Sequence, residues 1–226
     1  GRNAGFMITG LDTYYHHAIE RYGTATVREL WSLSQHTHRI WQDFAQKGDV
    51  PLDRCGSMLL AESPAEAADL ELSAQALQRD GIDVIYHPKD PLGRGYYAGI
   101  EQPWDCAVQP YKLAQAIFNA SGATLIANNA VYGYEPARSG GVIVYSHRYV
   151  FHAKKVLLCT NAYSARLDPY FADKVIPTRA QCLVTEPLDA PVMHTCGYSD
   201  YGYMYYRMTF DNRFLIGGGR KAFKVQ

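Results

Sequence analysis

The run Lys155-Val156-Leu157-Leu158-Cys159 passes without alternation into a polar turn, Thr160-Asn161-Ala162. A continuous apolar stretch of this kind suits a strand buried on both faces, as in a parallel sheet covered by helices. Leu158 to Ala162 would then lie at the carboxyl end of that strand. In doubly wound sheets this is where backbone N–H groups and helix N-termini receive phosphate-bearing ligands. The same residues equally suit a plain strand-to-helix turn capped by Thr160 or Asn161.

Working outward, three short segments before this run have strand character: Ala130 to Tyr134, Val142 to Ser146 and Tyr149 to Ala153. The residues from Pro136 to Gly141 and a tight His147-Arg148 turn connect them into a β-meander. Before them, a helix from Pro110 to Ser121 stops at Gly122, turns Leu113, Ala114, Ile117 and Phe118 inward, and leads into a strand from Thr124 to Ala127. A further helix opens on Ser63-Pro64-Ala65-Glu66, with a hydroxyl at the N-cap and proline at the first helical position, and stops at Gly81. Strands at Gly56 to Ala61 and Ile82 to Tyr86 flank it, and the Gly- and Pro-rich stretch from Pro88 to Pro103 reads as a long loop. Nearer the start, Thr26-Val27-Arg28-Glu29 has the capping-box pattern. It predicts a helix to Phe44 that buries Val27, Leu30, Trp31, Trp41 and Phe44. Downstream, Val175 to Glu186 and Tyr201 to Gly217 read as longer antiparallel strands, with a hairpin turn at Phe210-Asp211-Asn212. The pattern is mixed, α/β with α+β: a helix-covered layer interleaved with a more antiparallel sheet, each assembled from separated segments.

Composition narrows the partners. The 226 residues carry 22 Lys and Arg against 22 Asp and Glu, a formal net charge of zero. That balance removes the long-range attraction to phosphate backbones or anionic lipid, so no nucleic-acid role is expected. No apolar run reaches the roughly 18 residues of a membrane span. Five cysteines, widely spaced and without a C-x-x-C pair, fit a reducing, cytoplasmic setting. Among the eight histidines, His16-His17 and His36-Thr37-His38 have no Cys or carboxylate at ligand spacing. They read as surface helix residues, and no metal is expected. The run Gly217-Gly218-Gly219-Arg220-Lys221 does not open a helix or end in Gly-Lys-Ser/Thr, so it reads as a glycine-kinked strand end rather than a phosphate loop.

Six segments occur together in a recognisable order: Gly1-Arg2-Asn3-Ala4-Gly5-Phe6; Val108-Gln109-Pro110-Tyr111-Lys112-Leu113; Cys159-Thr160-Asn161-Ala162-Tyr163; Val175 to Gln181; Thr185-Glu186-Pro187; and Tyr205-Tyr206-Arg207 with Asp211 to Gly218. Together they resemble the FAD-dependent oxidoreductases of the D-amino-acid oxidase superfamily, most of all its γ-glutamylputrescine and glycine/sarcosine oxidase-like branch. The resemblance implies an FAD-binding Rossmann-like domain from residues 1–50 and 107–172, interleaved with an antiparallel-sheet substrate domain from 51–106 and 173–226. It also implies that Gly1, Arg2, Asn3, Ala4 and Gly5 pass beside the flavin ring, where small residues let backbone approach a planar group. Val131 matches a position whose backbone meets the adenine. Thr160, Asn161 and Ala162 match a turn near ribose and pyrophosphate, with Asn161 where many relatives carry glycine. Tyr205 and Arg207, sharing one side of a strand, match the substrate-facing positions.

The family's opening βαβ unit of about 30 residues, with G-x-G-x-x-G and an acidic ribose ligand, has no counterpart in the sequence. The chain therefore reads as the central part of a longer enzyme, its FAD domain incomplete. The activity implied is oxidation of a C–N bond in a small amine or amino acid by hydride transfer to flavin N5. Arg207 is either the anchor for a substrate carboxylate or half of a cross-strand ion pair. The alternatives are a non-catalytic fragment without competent FAD binding and a flavin dehydrogenase using an acceptor other than oxygen. Oligomeric state is not implied.

Overall fold

The computed structural model describes residues 3–178 and 180–219, which form two compact units. The first holds residues 3–122 and 180–219; the second holds 123–178. In chain order the first unit begins with β1 (Phe6–Met7), α1 (Tyr15–Tyr22), α2 (Thr24–Lys47), β2 (Leu52–Asp53), β3 (Ser57–Leu60) and α3 (Pro64–Arg79). It continues through β4 (Ile85–His87), β5 (Gly99–Gln102), β6 (Cys106–Val108) and α4 (Pro110–Ser121). The second unit holds β7 (Val131–Pro136), β8 (Val142–Ser146), β9 (Val150–Ala153) and α5 (Ser164–Leu167). The chain then returns to the first with β10 (Gln181–Val184), β11 (Cys196–Ser199), β12 (Met204–Met208) and β13 (Phe214–Gly218).

Two sheets organise the first unit. The larger runs β10-β13-β12-β11-β3-β5-β4, antiparallel throughout except where β11 lies parallel to β3. The smaller runs β1-β6-β2, all antiparallel. Helices α1, α2 and α3 cover one face of the large sheet, with Tyr15, Val27, Trp31, Leu70 and Leu77 in one core with Ile100 of β5. A second core, with Met7, Ala45, Cys106, Val108 and Leu113, joins the small sheet to α2 and α4. The second unit is a meander, β7-β8-β9, with a register shift between Val131 and Gly133. There Tyr134 donates to the Asp168 carboxylate, which also accepts the Tyr170 N–H at 2.8 Å.

Local chemistry explains most boundaries. Ser63 Oγ accepts the Glu66 N–H at 3.2 Å at the start of α3, while Glu66 Oε2 accepts the Glu62 N–H at 2.8 Å. The Gln109 side chain caps α4 by accepting from the N–H groups of Tyr111 and Lys112. Gly23, at φ 79°, ends α1 and turns the chain into α2, a conformation that a side chain would oppose. Because α2 starts at Thr24, the Thr26 to Glu29 segment lies within the helix rather than at its start and makes no capping box.

Other expectations give way. The buried face of α2 is Val27, Trp31, His38 and Ala45, whereas Leu30 and Trp41 are exposed. Ten residues beyond Trp31, at about 100° per residue, Trp41 has rotated roughly 80° off that face. On α4, Ala114 and Phe118 are likewise exposed. The expected loop from Pro88 to Pro103 contains β5, an interior strand of the large sheet; Gly99 packs there against Pro91 and Met58. The Lys155 to Cys159 run is not a strand, and Leu157 is 85% exposed. A strand needs a hydrogen-bonded neighbour, and among the described residues none pairs with this run or with Thr124 to Ala127. Helices α1, α2 and α4 pack in the same unit as the large sheet.

One carboxylate ties three helices. Asp80, the C-terminal cap of α3, accepts Tyr15 Oη–H from α1 at 2.9 Å and Arg28 Nη2–H from α2 at 2.7 Å. These partners, Arg28 first, hold its carboxyl below the usual aspartate range. Arg28 is more than half exposed, so its share is small. Asp80→Asn should lower unfolding free energy by about 1–2 kcal/mol at pH 7 in a urea titration. A depressed carboxyl stabilises the fold above its unfolded pKa and stops doing so as pH falls through the folded value. The gap between wild type and variant should therefore close below about pH 4. A gap that persists in stronger acid would rule out the charged contacts as its cause.

Candidate active site

Alternation along β12 sends Tyr205 and Arg207 to one face of the large sheet and Tyr206 to the other. Each tyrosine lies in register with a glycine: Tyr205 opposite Gly217 on β13, and Tyr206 opposite Gly197 on β11. A Cβ at Gly217 would sit 2.5 Å from the Tyr205 ring, and one at Gly197 2.0 Å from the Tyr206 ring. The missing side chains are thus the space the rings occupy. Tyr206 is buried in the core with Met58, Leu60 and Met193, its hydroxyl 2.8 Å from that of Tyr96. On the opposite face the Tyr205 ring meets Phe6 edge-on at 5.8 Å between centroids, and Phe6 meets Tyr198 at 5.0 Å.

Arg207 is 5% exposed. Its Nε–H donates to the Ala4 carbonyl at 2.6 Å and an Nη1–H to the Met208 carbonyl at 2.8 Å. Nη2 lies against Gly5, where a Cβ would be 2.7 Å from it and 2.3 Å from the Val108 carbonyl oxygen. Gly5 has φ +82°, and its N–H is held by Asn3 Oδ1 at 2.7 Å. Among the described residues no carboxylate lies within 4.0 Å of the guanidinium. Burial pulls its pKa down, opposed at longer range by Cys196, Cys55 and Asp53. A desolvated cation of this kind is costly without an anion.

Beside this cluster a cavity of about 560 Å³ opens on the same face of the sheet, lined among others by Thr9, Trp31, Leu59, Gln102, Tyr198 and Tyr203. Thr9 Oγ1 and Trp31 Nε1 are buried with no hydrogen-bond partner among the described residues. A small ligand with polar groups would satisfy them.

Residues 1–225 match the family described as FAD dependent oxidoreductase. The chain belongs to that family. It is similar to the γ-glutamylputrescine oxidoreductase of Escherichia coli K12, with 24% identity over 97% of this chain and 55% of that protein. In structure it resembles glycine oxidase from Geobacillus kaustophilus, with TM-score 0.67, 20% identity, and 94% of this chain covering 59% of that one. It also resembles L-proline dehydrogenase from P. horikoshii, with TM-score 0.64, 16% identity, and 80% of this chain covering 53% of that one. These likenesses place the mixed α/β fold among such oxidoreductases, and the chain spans a little over half the length of the relatives it matches.

Of the residues singled out in this family member's sequence, Asn3, Ala4, Gly5, Tyr205 and Arg207 come together in the first unit. Gly1 and Arg2 lie outside the described residues. Val131, Thr160, Asn161 and Ala162 belong to the second unit. Val131 opens β7 at its register shift, and Thr160 Oγ1 lies 2.9 Å from Ser164 Oγ. Asn161 has φ 49°, left-handed, a conformation that asparagine tolerates better than most residues. That is the physical reason asparagine can hold a backbone conformation that glycine adopts freely. Phe6, Tyr198 and Thr9 were missed. Phe6 directly follows Gly5 in the Gly1 to Phe6 segment and could have been found there, but only strand pairing brings Tyr198 beside it. The residues present suit the ring end of a flavin: closely approaching backbone at Gly5, an aromatic wall, an unpaired buried cation and two orphaned donors.

A thiol pair sits behind Arg207. Cys55 and Cys196 are 3.7 Å apart, sulfur to sulfur, and Cys55 and Arg207 share a 120 Å³ cavity. The sulfur-to-sulfur hydrogen bond lowers the Cys55 thiol below the ordinary range, while that hydrogen bond and burial raise Cys196. Burial pushes Cys106 up to about 11. Native-state labelling with iodoacetamide, read by mass spectrometry, should modify Cys55 with a pH midpoint below the free-thiol value of about 8.5. Cys106 and Cys196 should stay unmodified at neutral pH. A Cys55 midpoint at or above the free-thiol value would remove the sulfur pairing.

Proposed function

We propose that this chain supplies the flavin-facing and substrate-facing parts of an enzyme that oxidises a C–N bond of a small amine or amino acid. One observation carries the reading: Arg207, buried and with no carboxylate among the described residues within 4.0 Å, holds the Ala4 carbonyl, and three aromatic rings cluster on the same sheet face, beside a cavity. FAD, when bound, supplies the two-electron acceptor at its N5. Asn3, Ala4 and Gly5, preceded by Gly1 and Arg2, would border its ring, and Val131, Thr160, Asn161 and Ala162 its adenosine and phosphate end.

Arg207 keeps N–H donors in its planar fork that no described residue uses, the geometry that suits a substrate carboxylate. Phe6, Tyr198 and Tyr205 wall the substrate and exclude water, so that its α-carbon is held for loss of a hydride. The amine enters neutral, a proton leaves to solvent, and the imine product is hydrolysed by water. No side-chain base is required. The five free thiols support a reducing, cytoplasmic setting, and no described helix is long and apolar enough to cross a membrane.

The complete gene product, supplied with FAD, should turn over small amines or amino acids. Peroxide formation would mark oxygen as the acceptor, and dye reduction without peroxide would mark a dehydrogenase. Neither signal across a panel of such substrates would sink the oxidoreductase reading. Arg207→Met should raise KM for carboxylate-bearing substrates at least tenfold while leaving carboxyl-free amines nearly unaffected. An equal loss on both substrate types would assign Arg207 to holding Ala4 instead.

A further inference from the structure

His16 and His17 adjoin each other on α1, and Asp69 faces them from α3. His16 Nε2 and His17 Nε2 each lie 3.6 Å from the same oxygen, Asp69 Oδ1. The three ligand-type atoms fall within 4.8 Å of one another. Around a tetrahedral zinc ion, with bonds of about 2.1 Å, neighbouring donor atoms are about 3.4 Å apart. Both nitrogen-to-oxygen separations are within a few tenths of an ångström of that spacing.

The remaining heteroatoms of all three residues are already engaged. His16 Nδ1 lies 2.8 Å from Ser73 Oγ and His17 Nδ1 3.2 Å from Glu20 Oε2. Asp69 Oδ2 accepts from the Tyr201 hydroxyl at 2.9 Å. With the imidazole protons on Nδ1, both Nε2 lone pairs and Asp69 Oδ1 face inward. This is the outer-partner pattern that orients metal ligands. His16 Nε2 is also buried without any hydrogen-bond partner among the described residues, an orphan that a simple helix-to-helix contact does not explain. The two rings stand 3.8 Å apart at 38°, an arrangement that disfavours two positive charges and so argues against a doubly charged ion-pair cluster.

We propose that His16, His17 and Asp69 form a site for a divalent metal ion of the zinc class, clamping α1 to α3. Two imidazoles and one carboxylate match that class better than the all-oxygen preference of magnesium or calcium. His17 and Tyr201 also line the 560 Å³ cavity, so the site borders the candidate active site without including any residue assigned to it.

The complete gene product, stripped with a chelator, would be titrated with Zn²⁺ alone by calorimetry. The expected result is a site of one equivalent, weakened at least tenfold by His17→Ala and by Asp69→Asn, and about tenfold by Ser73→Ala through ligand orientation. His36→Ala should bind as wild type. Cobalt in place of zinc should give the absorption of a tetrahedral or five-coordinate site, lost in the same variants. Far-UV circular dichroism on each protein separates loss of a ligand from loss of fold, and both substituted ligands are partly exposed. No zinc uptake at micromolar metal, or uptake unchanged in His17→Ala and Asp69→Asn, would overturn the proposal. None of these readouts depends on flavin or turnover.

Discussion

Three donors from separate segments converge on one buried carboxylate. Asp105 accepts the Thr9 N–H at 2.9 Å, Ser57 Oγ–H at 2.6 Å and Gln102 Nε2–H at 2.7 Å. Its own backbone carbonyl accepts from Gly56 at 2.9 Å. The residue is fully buried, and burial raises its carboxyl pKa in spite of those donors. Thr9 follows β1, Ser57 opens β3, Gln102 ends β5, and Asp105 immediately precedes β6. The two sheets of the first unit therefore meet at this side chain. His38 of α2, which holds the Met7 carbonyl at 2.9 Å, reaches to 3.9 Å from the same carboxylate. An acceptor-only group among donors tolerates no substitution that leaves them unpaired, since each would then carry its full desolvation cost. The placement of Thr9 at the cavity, and of Phe6 on the sheet face, follows from this anchoring.

Much of the fold was legible because its signals are local. Ser63 with Pro64, Gln109 with Pro110, and Asn212 in its hairpin turn all act within a few residues. The α3 and α4 boundaries, the meander and the last hairpin accordingly lie where their sequences place them. The failures share a non-local cause. β5 hides in a Gly- and Pro-rich stretch because its stability comes from β3 and β4 on either side. The Lys155 to Cys159 run has the chemistry of a buried strand, yet strand formation needs a partner that no described residue provides. On α2, Leu30 and Trp41 are apolar without being core, so periodicity alone could not separate its faces.

The site divides in the same way. Tyr205 and Arg207 were legible from alternation and family order, and Gly5 from its need to let backbone pass closely. Tyr198 and the orphaned Thr9 hydroxyl were not, because cross-strand register and tertiary closure put them there. The histidines illustrate the limit most plainly. His38 reads as a surface residue but is buried, its Nε2–H donating to the Met7 carbonyl. His16 reads the same way, and the carboxylate beside it comes from another helix, beyond any ligand spacing that a sequence motif could encode.

The adjacent tyrosines of β12 show how strongly register fixes this chemistry. Gly197 and Gly217 lie on the two strands flanking β12 and face opposite sides of the sheet, each matched to one tyrosine ring. A slip of one residue would turn both rings to the opposite faces, away from the glycines they match, and turn Arg207 toward Met58, Leu60 and Met193, where a cation has no acceptor. The glycines therefore act as a lock on register, at positions where side chains would otherwise add packing. What the lock secures is an asymmetric sheet: one face closed by Tyr206 into an apolar core, the other presenting Tyr205 and a buried charge to the Asn3 to Gly5 backbone. The proposed planar cofactor ring and small charged substrate would need that asymmetry, because the face they approach must be aromatic, dry and cationic while the face behind it stays rigid.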